Sequence, residues 1–162
     1  MGKHTLKIEY DYDFVLIGIS SHEKDYRLCW ALNNVLELEL TKTESLEIKS
    51  KKEDTPSFFS LFKYENEDEF KEYFVLSNLS ENKHSILKED TLFNKSSKES
   101  TSAENGILIP EHRQMNYFFM IRGEITDKEA EKLIKKIKNI DMILTAVQIE
   151  PGELKSKANL IF

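Results

Sequence analysis

MNYFFMIRGEITDKEAEKLIKKIKNIDMILTAVQIEP, residues 115 to 151, spells strand, helix and strand in succession. Tyr117 to Ile121 is wholly apolar and largely aromatic, the composition of a buried strand. From Thr126 the period changes. Ala130, Leu133, Ile134 and Ile137 recur at helical spacing, and Thr126 with Glu129 three positions on spells a capping box. Lys135, Lys136 and Lys138 fall in the last turns, where the helix dipole favours cations, so helix electrostatics accounts for them without a phosphate site. ILTAVQIEP then reads as a second strand, ended by Pro151-Gly152.

The N-terminal part repeats this order. EYDYDFVLIGISS (residues 9–21) alternates Glu9, Asp11 and Asp13 with Tyr10, Tyr12 and Phe14 before turning apolar, which predicts a strand entering a sheet interior. Ser20 with Glu23, or Ser21 with Asp25, offers capping chemistry for a helix through DYRLCWALNNVL, whose face is Leu28, Ala31, Leu32, Val35 and Leu36, widened by Cys29 and Trp30. Leu36, Leu38 and Leu40 alternate with glutamates, so a half-buried strand is expected there, continuing through SLEIKSKK. SFFSLFKY and EFKEYFVLSN, divided by the acidic ENED, predict an antiparallel hairpin.

Residues 80 to 105 are rich in Ser, Lys, Glu and Asn, and a connection of this length inside a compact domain reads as a disordered insertion. The remainder fits one domain over residues 1–162. The predicted class is α+β, a mainly antiparallel sheet with two helices on one face, for which a ferredoxin-like split βαβ topology is the first arrangement to test.

Composition narrows the function classes. With a single cysteine, Cys29, no intramolecular disulfide can form, which suits a reducing compartment. The strongly apolar run Phe14–Ile19 is far short of a membrane span, and the N-terminus carries no apolar leader, so the expectation is a cytoplasmic chain without membrane association. A net charge of −6 disfavours RNA as a partner, because nucleic-acid affinity comes from cations neutralising phosphates.

Catalytic signatures are not found: the sequence has no glycine-rich phosphate loop, no HExxH, no GxSxG and no cysteine or histidine pair at zinc spacing. His4, His22, His84 and His112 are scattered, and Cys29 within LCWAL reads as a small core hydrophobe rather than a nucleophile. Glu9, Asp11 and Asp13 read as the wet side of an edge strand rather than a carboxylate site. The expectation is a non-enzyme that needs no cofactor and no metal.

One motif remains. Ile109-Pro110-Glu111, three residues, then Met115-Asn116-Tyr117 resembles the signature of the IPExxxVDY family, a group of small Bacteroidetes-type bacterial proteins with no assigned activity. The resemblance extends to DYDFVLIGISS, DYRLCWALN and the C-terminal LKSKANLIF. It implies a cytoplasmic protein and supplies no catalytic residues. Met115 stands for Val and Asn116 for Asp; the second exchange removes an ionisable proton while keeping hydrogen-bond acceptance, which favours a structural role. Pro110 fixes its own φ and holds Ile109 extended, making a rigid entry into the strand.

The candidate binding residues are Pro110, Glu111, Arg113, Asn116, Tyr117, Arg122 and Phe162. The expected function is a protein-interaction or adaptor module whose partner is another cytoplasmic protein or a second copy in a homodimer. One alternative is a regulatory domain binding a small anionic metabolite through Arg113, Arg122 and the helix opened by Thr126. The other is an RNA-associated protein.

Overall fold

The computed structural model describes residues 12–50, 55–81 and 106–162. In chain order the strands and helices are β1 (Phe14–Ser20), α1 (Asp25–Leu36), β2 (Thr41–Lys42), β3 (Leu46–Ile48), β4 (Ser57–Phe59), β5 (Leu61–Asn66), β6 (Lys71–Ser77), β7 (Tyr117–Arg122), α2 (Asp127–Lys138) and β8 (Thr145–Ile149). Single 3₁₀ turns occupy Pro110–His112, Pro151–Glu153 and Lys157–Leu160.

Six strands form one sheet in the order β2-β5-β6-β7-β1-β8, and β3 with β4 forms a separate pair. Every pairing is antiparallel. Since β7 lies between β1 and β6, those two run parallel, and since β1 lies between β7 and β8, so do those. Two βα units thus interlock as a split βαβ core, extended by β5 and β2 beyond β6. The α+β class expected from the sequence is the one observed.

Both described helices pack on one face. Leu28, Leu32 and Ile137 meet Ile17, Ile19, Val75, Phe119 and Ile121 there. The other face carries Leu16, Phe74, Leu76, Phe118 and Met120, roofed by Leu108, Ile109, Met115, Leu154 and Leu160 from irregular segments. This second cover explains why β7 shows no alternation: Tyr117 to Ile121 are buried on both sides of the sheet. Gly18 marks the tightest approach, since a Cβ there would meet Ile149 Cδ1 at 2.8 Å and Met115 Cγ at 2.9 Å.

Local expectations fare unevenly. The capping box of α2 is present in full, with Thr126 and Glu129 bonding reciprocally. The α1 entrance differs: Lys24 is its N-cap without a side-chain bond, and Ser21 Oγ instead accepts from Glu23 N and donates to Met142 O. Trp30 does not widen the buried face; it is 68% exposed. The Leu36–Leu40 alternation is not a strand, because Glu37 turns left-handed (φ 57°) and the Asn33 amide clamps Leu40 through its N–H and its C=O. The predicted SFFSLFKY strand divides at buried Ser60 into β4 and β5, and only β5 pairs with β6. Most of the 80–105 insertion, like Glu9 and Asp11, lies outside the described residues.

Candidate functional site

The proline motif is positioned by a residue outside it. Asn78, immediately after β6 and 3% exposed, accepts from Ile109 N through Oδ1 and donates through Nδ2 to the carbonyls of Met115 and His112. Its backbone N–H donates to Asn116 O, and its carbonyl accepts from Leu108 N. Leu108 and Ile109 are fully buried, so their irregular backbone needs such partners in place of water. Pro110 occupies the first turn position, where a missing N–H costs nothing, and redirects the chain.

Glu111 faces the C-terminal segment, where its carboxylate accepts from Ser156 N and Ser156 Oγ, both at 2.8 Å. Partial burial works to raise its pKa, but the hydrogen bonds from Ser156 and neighbouring amides outweigh it and hold the carboxyl below its ordinary value. Asn159 Nδ2 donates to Leu108 O at 2.9 Å, so the end of the chain is fastened across the motif.

At the far side of the motif, a cleft of about 300 Å³ opens where β1 and β6 end and β7 begins. Its wall includes His22, Glu23, Arg113, Asn116 and Tyr117. Asn116 Oδ1 accepts from the buried Ser21 N–H at 2.9 Å and from Ser20 Oγ at 3.4 Å, tying the start of β7 to the turn after β1. The Tyr117 hydroxyl donates to Glu23 O at 2.6 Å. Burial pushes that phenol upward, with Asp25, Cys29 and Glu23 adding to the shift. Burial, then the Asp25 charge, likewise raises the Cys29 thiol, which disfavours its thiolate form.

Arg122 and Phe162 lie at the opposite end of β7. The guanidinium sits 4.8 Å from the ring centroids of both Phe74 and Phe162, and it donates to the carbonyls of Leu160 and Phe162. The anion-binding trio expected from sequence is therefore not one site: Arg113 precedes β7, whereas Arg122 closes it and Thr126 follows. Thr126 is also engaged in its own capping box.

The seven candidates consequently occupy three places. Arg113, Asn116 and Tyr117 share the cleft, Pro110 and Glu111 turn toward the C-terminal segment, and Arg122 with Phe162 form the latch at the far end. Sequence reasoning missed Asn78, Ser156, Ser21 and His22 as neighbours of these residues. Asn78 follows an apolar strand as any turn residue does, and Ser156 carries no local signal at all. Among the described residues, no group of three His, Cys, Asp or Glu side chains is arranged to hold a metal ion. No described helix is long and apolar enough to cross a membrane.

No family model, curated protein or solved structure matches the chain.

Proposed function

We propose that this chain is a non-enzymatic cytoplasmic interaction or adaptor module of the IPExxxVDY family, docking another protein through the outer surface of α1. The observation that carries the reading is Trp30, 68% exposed, with Tyr26 one turn earlier at 58%. Scattered surface aromatics are ordinary, but Trp and Tyr on one helical stripe match the side chains that dominate binding energy in protein interfaces. The motif supports the same reading from the other side. Glu111 and Asn116 are engaged in holding the fold, and Tyr117 is a raised phenol bonded to a backbone carbonyl.

The test is affinity capture from native lysate with wild type and with Trp30→Ser, each with and without ribonuclease. One stoichiometric protein, retained after ribonuclease and lost with Trp30→Ser, is the expected result. Capture that Trp30→Ser leaves intact removes the α1 surface, and recovery that depends on RNA replaces the reading with the nucleic-acid one.

The cleft gives a second reading, a small anionic metabolite held by Arg113 with His22 and the Asn116 amide. Glu23 in the same wall forms an ion pair with Arg27 at 2.9 Å, which moderates its repulsion of an anion. Calorimetric titration with inorganic phosphate and with citrate, on wild type and Arg113→Ala, separates this reading from the first: heat that disappears with Arg113→Ala supports it.

A further inference from the structure

We infer that the outer edge of β8 is a docking strand for an extended, basic peptide segment of another protein. The inference rests on the interaction-module reading but uses an edge of the sheet, not the α1 surface that carries Trp30. β8 is the last strand of the six, and its register is with β1 alone, Leu16 opposite Ile149 through Ser20 opposite Thr145. An antiparallel edge strand directs alternate N–H and C=O groups outward, and among the described residues no backbone bond reaches that side of Thr145–Ile149.

The two edges of the sheet are built differently. At the β2 edge the strand has only two residues, one of them Lys42, which is how proteins commonly blunt an edge. β8 is five residues, TAVQI, with no charge, no proline and no bulge in its register, preceded by Leu144 at 62% exposure. Among the described residues it carries no lysine, proline or bulge to blunt it.

The chemistry beside this edge selects the occupant. A crevice of about 310 Å³ adjoins the strand, lined by Val147 to Glu150 together with Glu111, His112, Glu153 and Leu154. A strand added to β8 would send every second side chain to that face. The crevice lining contains three glutamates and no lysine or arginine. Glu111 is engaged by Ser156, while Glu150 and Glu153 make no ion pair among the described residues. Lysine or arginine at alternate positions complements that wall, and Val147 with Leu154 receives their aliphatic stems. A second copy is the poorer occupant, because pairing β8 with itself brings two acidic crevices of a chain of net charge −6 together.

The probe is an acetylated octapeptide of alternating lysine and valine, titrated into the full chain with backbone amide NMR as readout. The expected result is saturable shifts over Leu144–Glu150, affinity that falls as salt rises, and roughly tenfold or greater weakening in Glu150→Lys/Glu153→Lys. The same peptide N-methylated at alternate residues should lose binding, since it cannot complete the ladder. Trp30→Ser should leave this binding unchanged, so the α1 reading and the β8 inference fail separately. Shifts centred elsewhere, equal binding by a glutamate–valine peptide or by the N-methylated peptide, or no saturable shift overturn the inference. Concentration-dependent dimerisation abolished by Val147→Lys also overturns it, because the edge then belongs to a second copy.

Discussion

The side-chain oxygen of Asn78 accepts the backbone N–H of Ile109 at 2.8 Å, across a separation of 31 residues, and so couples the end of β6 to the proline motif. The same amide group donates to the carbonyls of Met115 at 2.8 Å and His112 at 3.1 Å. One buried side chain thereby closes the loop that carries Pro110 and Glu111. Asn78→Ala leaves a donor and two acceptors without these bonds, and a loss of about 3 kcal/mol or more is expected in urea unfolding at neutral pH. Asn78→Asp should fare no better there, because it sets a carboxylate against two carbonyls. A loss below about 1 kcal/mol for the alanine variant would mean that apolar burial of Leu108 and Ile109 holds the loop unaided.

The Glu111–Ser156 contact should show itself in the pH dependence of stability. A carboxyl whose folded pKa is depressed stabilises the fold above its ordinary value, 4.5 for glutamate here, and that contribution is lost as pH falls through the folded value. Glu111→Ala is expected to cost about 1 kcal/mol at pH 7, discounted for the exposure of the side chain, and Glu111→Gln less. The gap between wild type and Glu111→Gln should close in the acid range. Denaturant midpoints measured from pH 7 down to pH 3 test this, and a gap that widens in acid would contradict the assigned hydrogen bonds.

Asn116→Asp should be tolerated within about 0.5 kcal/mol, since Oδ1 acts only as an acceptor in the contacts to Ser20 and Ser21. Asn116→Leu strips the buried Ser21 amide of its acceptor and should cost about 1 to 2 kcal/mol. Thermal melts of the two variants side by side decide it; equal losses would place the role of Asn116 elsewhere than in this bond.

The C-terminus should behave as core. Leu160 is fully buried on the sheet face opposite the helices, so Leu160→Ala is expected to lose about 2 to 5 kcal/mol. Phe162 is 40% exposed but packs edge-on against Phe74 at 5.4 Å and covers Arg122, so Phe162→Ala should cost less. Deleting residues 160–162 should therefore lower the melting temperature sharply. Unchanged melting would show that these side chains are not needed to close that face.

Some elements were legible because their signals are local. Thr126 and Glu129 are three positions apart, and the four apolar residues of α2 fall on one stripe whatever else the chain does. The hairpin β5-β6 and the burial of β7 follow from aromatic runs in the same way. The Leu36–Leu40 alternation misled because Asn33 binds Leu40 at a separation of seven residues, which overrides a period-two pattern. Trp30 misled because its position flanks the buried stripe of α1, where identity alone does not tell a covered ring from an exposed one.

Residue type and short spacing were enough for the α+β class, the buried strand β7 and the capped helix α2, whereas the extended strand entry expected at Ile109-Pro110 is a 3₁₀ turn that Pro110 opens ahead of β7. Other features are set by long-range contacts. That Glu111 meets Ser156, 45 residues away, that Asn78 holds Ile109, that Arg122 binds Phe162 instead of joining Arg113, and that β8 comes last in the order of the described strands all depend on which distant segments are brought together. Periodicity records which side of an element is apolar; it does not record which element will cover that side, because the partner is chosen by packing and backbone hydrogen bonding across the whole sheet.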